Sequence, residues 1–236
     1  DISGSYFLSM EFVQGLSLPN AFPRLPVQEE TAVRVMRQVA QAVHYAHTSE
    51  QGVIHRDLKP GNIIITGDTM VKIIDFGLSK IASEATLTVT GTQLGTPAYM
   101  APEQFGNSKV VDHRSDIWSI GVIFYELLAG DRPIPGKKIV QLVKCINDPN
   151  FKIPPLRGRN PSVSGETERI VHKCLTFSPD ERYCSVEHLL SELDGKDHIP
   201  PVSAYDPMRT YRIGNRIEHA ALGQATRSAQ HLKLAQ

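Results

Sequence analysis

The sequence predicts an α+β fold that is mainly helical and carries one small β-hairpin. Three observations lead to this prediction. Between Gln28 and His47 the apolar residues recur every three or four positions, which indicates one face of an α-helix. The segment from Asn62 to Asp75 reads as two short strands around a Gly67-Asp68 turn. The apolar stretch from Ile117 to Gly130 indicates a helix that is buried in a core.

The other elements follow in chain order. Tyr6 to Val13 reads as a strand, and the Pro- and Gly-rich segment after it reads as a loop with a short helical turn. Ser83 to Thr96 is polar and Thr-rich, which is typical of a long loop. The buried helix should span Asp116 to Leu128. Three shorter helices should follow it, at Lys137 to Ile146, Glu166 to Leu175 and Ser185 to Leu193.

Length and charge limit the class of protein. The 236 residues suit one domain with a tail, and the composition changes after Asp197, so we expect a linker and a weak helix in 197–236. Lys plus Arg and Asp plus Glu number 25 each, which argues against nucleic acid or an anionic membrane as the main partner. The longest apolar stretch is shorter than the ~20 residues of a spanning helix, so this segment should not contact a membrane.

The cysteines indicate the compartment. Cys145, Cys174 and Cys184 match no metal-binding spacing, and we expect reduced, mostly buried thiols in a cytoplasmic protein. The chain begins with Asp1 rather than Met, directly before the predicted strand. We therefore expect it to be part of a longer protein, one that could be tethered to a membrane elsewhere.

Three oxygen-bearing side chains bracket the hairpin. Asp57 and Asn62 lie on the loop before it, and Asp75 follows it. Because a hairpin folds back on itself, its two ends lie close together, and these side chains should converge. Such hard oxygen ligands suit Mg²⁺, which binds a few carboxylates together with phosphate oxygens and water. For His44 and His47 we expect no acidic or cysteine partner nearby, and therefore structural roles rather than metal binding.

Three motifs resemble those of eukaryotic-like protein kinases. They are "HRDLKPGN" (His55 to Asn62), "DFG" (Asp75 to Gly77) and "GTPAYMAPE" (Gly95 to Glu103), and "APEQ" is similar to bacterial members. The resemblance covers residues 1–196 and implies a protein-kinase-like fold with the hairpin at the catalytic cleft. No Gly-rich loop or strand lysine precedes Asp57. We therefore expect the hinge and C-terminal lobe of a kinase domain, which alone should show no appreciable kinase activity.

The resemblance implies catalytic roles for five residues. Asp57 would accept the proton of the substrate hydroxyl, and Lys59 would stabilise charge near the γ-phosphate of ATP. Asn62 and Asp75 would hold Mg²⁺, or Mn²⁺ in its place, against the phosphates. Thr96, whose hydroxyl could bridge Asp57 and Lys59, resembles its counterpart in kinases that act on serine and threonine.

Nucleotide binding is implied for residues before and within the hairpin. Met10 would guard the back of the adenine pocket, and Glu11 and Val13 would offer backbone groups to adenine. Ile64 would pack under the ring. Ser17 stands where many relatives place an acidic group on the ribose. Lys59, Asn62 and Asp75 complete the predicted ATP-binding set.

Architectural roles are implied for five further residues. Asp116 would anchor the backbone of the catalytic loop from the buried helix. Glu103 would pair with Arg182, and a buried pair of this kind costs several kcal/mol to break from one side. His55 would stack with Phe76 in a column that connects the two lobes.

Regulation is implied for the Thr-rich loop. In the family the arginine at the position of Arg56 binds a phosphate on this loop, which couples phosphorylation to activity. The candidate phosphate acceptors, each of which could equally be an ordinary solvated residue, are Thr86, Thr88, Thr90 and Thr92. Thr88 and Thr90 lie where bacterial relatives phosphorylate themselves, and a homodimer could carry out that autophosphorylation.

Three functions remain open from the sequence. The first is part of an active serine/threonine protein kinase in bacterial signalling, with ATP and protein substrates as partners. The second is a pseudokinase or scaffold that binds partners without catalysis. The third is a small-molecule phosphotransferase of related fold, which is disfavoured because such enzymes lack the "GTPAYMAPE" segment.

Overall fold

The computed structural model describes residues 11–76, 97–105, 111–136 and 139–195. Helices predominate in this part of the chain, and the strands form one antiparallel sheet. The strands are β1 (Leu16–Ser17), β2 (Ile63–Ile65) and β3 (Val71–Ile73). The α-helices are α1 (Leu18–Ala21), α2 (Glu29–Thr48), α3 (Arg114–Ala129), α4 (Ile139–Asn147), α5 (Leu156–Arg159), α6 (Gly165–Cys174) and α7 (Val186–Asp194). The predicted α+β class is confirmed.

The sheet has the order β1-β2-β3. The predicted hairpin is present, with Ile63 of β2 opposite Ile73 of β3. The strand predicted at Tyr6 to Val13 is wrong for its described part, since residues 11–13 form no strand. Leu16 and Ser17, predicted as loop, pair instead with β2. The free edge of the hairpin supplies their backbone partners, and such tertiary pairing overrides local β-propensity.

Helix α2 covers the predicted helical segment and packs on α3 and α7. Glu29 and Glu30 stand in its first turn, where negative charge interacts favourably with the helix dipole. The predicted apolar face is buried, with these residues at most 3% exposed: Ala32, Met36, Val39, Val43 and Ala46. The helical period therefore identified the face that enters the core.

Helix α3 is buried on all sides, as its continuous apolar sequence predicts. It ends at Gly130, whose φ of 81° lies in the left-handed region that favours glycine. Gly121 lies where α3 meets α6, and a Cβ added to it would come within 2.6 Å of the Cys174 Cβ. The absence of a side chain at this position allows the two helices to pack closely.

The three later helices agree with the predicted segments to within two residues at each described end. Helix α5 was not predicted, because four residues are too few to show a helical period. The described cysteines form no disulfide, but only Cys174 is buried and Cys184 is exposed, so the prediction of mostly buried thiols is wrong. The segments 83–96 and 197–236 lie outside the described residues. None of the helices described has the length and apolar character needed to cross a membrane.

We expect Gly121→Ala to lower the free energy of unfolding by about 1–3 kcal/mol, because the added methyl group overpacks the contact between α3 and α6. Urea unfolding of the chain measures this difference. Gly158→Ala in α5 is the matched control, since a Cβ there meets only the Pro155 Cβ at 3.8 Å. Equal stability changes in the two variants would contradict the proposed close packing.

Candidate active site

The backbone before Asp57 is held by one buried carboxylate. Asp116, in the first turn of α3, is fully buried. Its Oδ2 accepts a hydrogen bond from the His55 N–H and its Oδ1 accepts one from the Arg56 N–H, both at 2.8 Å. A buried charge is tolerated only when such partners replace its hydration. The core helix α3 therefore fixes the start of the loop that carries Asp57.

His47 also contacts this carboxylate, and the sequence analysis missed the contact. Its Nε2 lies 2.8 Å from Asp116 Oδ2, across 69 positions of sequence. The premise that His47 has no acidic partner is therefore wrong, because α2 packs against α3 and brings the two together. Within the described ranges, no cluster of three or more His, Cys, Asp or Glu side chains could hold a metal.

These contacts set the charge of Asp116. Burial alone raises the pKa of its carboxyl, but the hydrogen bond from His47, the electrostatic effect of His55 and His47, and the His55 N–H outweigh burial. The pKa of Asp116 therefore lies below its ordinary value of 3.8. The group is an anion at neutral pH, which is the form that accepts these hydrogen bonds.

Asp57 and Lys59 form an ion pair on the catalytic loop. Lys59 Nζ lies 2.6 Å from Asp57 Oδ2, and each side chain is about a quarter exposed, at 25% and 24%. Asn62, at the end of the 3₁₀ turn Pro60–Asn62, donates its Nδ2 hydrogen to the Asp57 carbonyl at 3.1 Å. Both side-chain contacts keep the Asp57 carboxylate at a fixed, solvent-accessible position.

The hairpin brings Asp75 back to this loop. The Ile74 N–H donates to the Asn62 carbonyl at 2.9 Å, and His55 Nε2 lies 3.1 Å from the Ile74 carbonyl. Asp75, the next residue, has a φ of 62°, a left-handed conformation that costs a non-glycine residue about 1–3 kcal/mol. The structure thus gathers Asp57, Asn62 and Asp75 at one end of the hairpin.

The donor set at this end fits a hard cation. Asn62 donates its amide hydrogen to the Asp57 carbonyl, which leaves its Oδ1 to act as an oxygen ligand. Asp75 adds a carboxylate at the same end, directly after Ile74, whose N–H donates to the Asn62 carbonyl. One amide oxygen and one carboxylate suit Mg²⁺ when phosphate oxygens and water complete its shell.

Two predicted architectural pairs also come together. His55 and Phe76 have ring centroids 4.7 Å apart. Glu103 accepts two hydrogen bonds of 2.7 Å from Arg182, whose side chain is buried. Arg182 also donates to three backbone carbonyls, those of Thr176, Phe177 and Arg114. The guanidinium therefore has partners for its donors, as a buried charge requires.

A further buried contact joins the "GTPAYMAPE" segment to α3. The Tyr99 hydroxyl donates to Glu126 Oε2 at 2.8 Å, and burial raises the pKa of both groups. The sequence analysis did not pair them, because they lie 27 positions apart. The available signal was Glu126 itself, a lone acidic residue within an otherwise apolar helix.

The predicted nucleotide-binding residues lie beside the sheet. Ser17 pairs with the half-buried Ile64. Glu11 forms an exposed ion pair with Lys72, whose Nζ lies 3.1 Å from Glu11 Oε1, and Val13 is half-buried. The predicted positions outside the described residues are Met10, Thr86, Thr88, Thr90, Thr92 and Thr96.

Gly15 allows the segment from residue 11 to reach the hairpin. A Cβ at Gly15 would lie 2.5 Å from the Ile65 carbonyl oxygen and 2.6 Å from Ile64 Cγ2. Beside it, Phe12 and Leu16 expose 62% and 56% of their surface. Two exposed apolar side chains therefore lie next to the residues predicted to bind adenine.

We expect Asp116→Asn to destabilise the chain by about 3 kcal/mol at neutral pH, because an amide cannot replace the carboxylate as acceptor of three hydrogen bonds. The native pKa is lowered, so the carboxylate stabilises the fold above pH 3.8 and this contribution disappears as the pH falls through the native pKa. Urea unfolding from neutral to acidic pH should show the difference from wild type shrinking. Asp148→Asn, at an exposed residue bonded to the Asn150 N–H, is the control. A deficit that does not change with pH would contradict this role.

Comparison with known proteins adds an independent finding. A family model described as "Protein kinase domain" matches residues 3–193. The chain is 39% identical over 181 residues to "Serine/threonine-protein kinases PknA" of Corynebacterium glutamicum, covering 75% of this chain and 36% of that protein. It is 37% identical over 206 residues to "Serine/threonine-protein kinase pkn3" of Myxococcus xanthus, covering 82% and 37%.

A third relative is also similar to most of this chain, and again the chain covers only part of that relative. "Probable serine/threonine-protein kinase PknB" of Lactococcus lactis is 32% identical over 194 residues, covering 82% of this chain and 30% of that protein. The chain thus spans 30–37% of the length of these relatives. Since the family model covers most of the chain, the chain belongs to the protein kinase domain family.

Proposed function

We propose that the protein containing this chain transfers the γ-phosphate of ATP to serine or threonine hydroxyls of other proteins. The observation that carries the proposal is the assembly of the Asp57–Lys59 ion pair with Asn62 and Asp75 at one end of the hairpin. The names of the relatives support serine and threonine as acceptors. The spacing of Lys59 after Asp57 supports the same choice.

In this proposal Asp57 orients the acceptor hydroxyl and takes its proton. Lys59 occupies one carboxylate oxygen, Oδ2, at 2.6 Å, and the other oxygen can accept a hydrogen bond from the substrate. The ammonium group of Lys59 also lies where it can offset negative charge that develops on the transferring phosphoryl group. Most of the rate enhancement would come from this positioning, since phosphoryl transfer needs little covalent participation by the protein.

Asn62 and Asp75 would hold Mg²⁺, or Mn²⁺ in its place. Once bound, the cation would neutralise charge on the ATP phosphates. The sheet residues Ser17 and Ile64, together with the backbone of Glu11 and Val13, would border the ribose and adenine. The apolar surface of Leu16 beside them suits a stacked base.

Regulation and context are part of the same proposal. Arg56 would bind a phosphate on Thr88, Thr90 or Thr92, and a homodimer would allow one copy to modify the other. We assign residues 1–196 to the kinase domain and 197–236 to a linker and tail. Free thiols support a cytoplasmic location for the domain, with a membrane tether, if any, elsewhere in the protein.

We expect Asp57→Asn to abolish phosphate transfer by the complete natural protein that contains this chain, because the amide cannot accept the substrate proton. Incorporation of labelled phosphate into a serine- and threonine-containing protein measures the loss. Asp131→Asn, an exposed carboxylate bonded to the Arg132 N–H, should retain activity. Undiminished labelling by Asp57→Asn would rule out the proposed role of Asp57.

We expect Gly15→Ala to raise the KM for ATP about ten-fold, because the new Cβ displaces residues 11–15 from the hairpin that borders adenine. Steady-state kinetics of the complete protein at varied ATP concentration test this. Gly67→Ala at the tip of the hairpin meets nothing within 4 Å and should leave KM unchanged. If both variants keep the wild-type KM, Gly15 does not shape the nucleotide site.

A further inference from the structure

We propose that Gln104 is a positioning residue for the catalytic loop: its side chain fixes the peptide group between Arg56 and Asp57 and, through it, the Asp57 carboxylate. The inference rests on the proposed kinase function for its consequence, but its structural part can be tested separately. Gln104 directly follows Glu103, in the 3₁₀ turn Pro102–Phe105. Neither the sequence motifs nor the comparisons assign it a role.

Both the oxygen and the nitrogen of the Gln104 side-chain amide form hydrogen bonds to the backbone. Its Oε1 accepts a hydrogen bond from the Ala101 N–H at 2.8 Å, and its Nε2 donates to the Arg56 carbonyl at 2.9 Å. These two partners also fix the orientation of the amide, because exchanging oxygen and nitrogen would place donor against donor and acceptor against acceptor. Gln104 therefore connects its own turn to the loop 48 positions earlier.

The contact falls on a strained part of the backbone. Arg56 has a φ of 63°, a conformation that a non-glycine residue keeps only when its surroundings enforce it. Asp116 holds the N–H of Arg56 at 2.8 Å, and Gln104 holds its C=O. The strained residue is thus restrained from both sides, by side chains from two different elements.

The same peptide group carries the Asp57 N–H. That N–H lies 3.3 Å from His55 Nδ1, while His55 Nε2 lies 3.1 Å from the Ile74 carbonyl. Both contacts are satisfied when Nδ1 accepts from the Asp57 N–H and Nε2 donates to the Ile74 carbonyl. The peptide between Arg56 and Asp57 is therefore bonded at its oxygen by Gln104 and at its nitrogen by His55, which leaves little freedom for Asp57 to rotate.

Gln104 also connects two parts of the site. Its neighbour Glu103 is fixed to the helical core by Arg182, and the Ser119 hydroxyl donates to the Tyr99 carbonyl at 2.9 Å. The segment that would face the substrate is therefore anchored to the core, and Gln104 extends that anchor to Asp57. Adjacent side chains would hold the substrate-facing segment and the residue that takes the substrate proton.

The substitution Gln104→Glu separates the two hydrogen bonds. The new carboxylate keeps an acceptor for the Ala101 N–H but replaces the donor to the Arg56 carbonyl with a repelling oxygen. In the complete protein we expect kcat to fall about ten-fold, with the KM for ATP unchanged. In the chain itself, amide hydrogen exchange at Arg56 and Asp57 should become faster, because the peptide group that joins these two residues loses a restraint.

Asn160→Asp provides a matched control. Asn160 donates its Nδ2 hydrogen to the Leu128 carbonyl at 2.9 Å and accepts from the Ser162 N–H at 3.2 Å, so the substitution removes the same kind of bond elsewhere. It should change neither kcat nor exchange at residues 55–59. A second readout is pH: protonating the carboxyl introduced at position 104 at acidic pH restores a donor, so the excess of exchange over wild type, compared at the same pH, should shrink.

The outcomes distinguish the inference from the proposed function. Wild-type exchange at Arg56 and Asp57 in Gln104→Glu, or equal effects in Asn160→Asp, would overturn the positioning role whether or not the protein is a kinase. Faster exchange with an unchanged kcat would also overturn it, because the restraint would not reach catalysis. Failure of the proposed function would appear instead as a wild-type protein that phosphorylates no substrate.

Discussion

The site depends on one buried carboxylate, that of Asp116. This anion collects three hydrogen bonds, from His47 on α2 and from two successive N–H groups of the loop before Asp57. Removing a carboxylate from water is unfavourable by several kcal/mol, and only the complete set of donors offsets that cost. The loop therefore has one arrangement in which Asp116 is satisfied, and the packing of α2 against α3 determines it.

The backbone of the site is not held by its own local preferences. Arg56 and Asp75, one on each side of the hairpin, both have φ values near 60°, at 63° and 62°. Short loops with such residues would relax if isolated, because non-glycine residues avoid this region. Tertiary contacts with Asp116, His55 and Asn62 keep them in place. The helical core therefore determines the backbone conformation of the loop that carries Asp57.

This division explains what could be predicted from sequence. Helices α2 and α3 were predictable because burial leaves a periodic or continuous apolar pattern, and the Gly67-Asp68 turn marks the hairpin. The strand at Leu16 was not, because its only cause is the free edge of β2. Likewise the pairing of His47 with Asp116, across 69 positions, follows from helix packing and leaves no local pattern.

Motif spacing identified the residues that could do chemistry, but not the side chains that hold them. Asp57, Asn62 and Asp75 were recognisable from their residue types at the ends of a hairpin. Gln104 belongs to the quoted "APEQ", but its residue type does not indicate a role, since a glutamine is usually a surface residue. Its importance arises from geometry alone, in the two backbone groups that its amide joins.

The contacts around Gln104 also imply that the stabilities of the turn Pro102–Phe105 and of the loop at Arg56 are coupled. Glu103 and Gln104 tie the turn Pro102–Phe105 both to Arg182 in the core and to Arg56 in the catalytic loop. The coupling free energy between two sites is reciprocal. An interaction that orders this turn therefore stabilises the observed loop conformation, and an ordered loop stabilises the turn by the same free energy. A contact that orders the turn Pro102–Phe105 would therefore also favour the observed position of the Asp57 backbone.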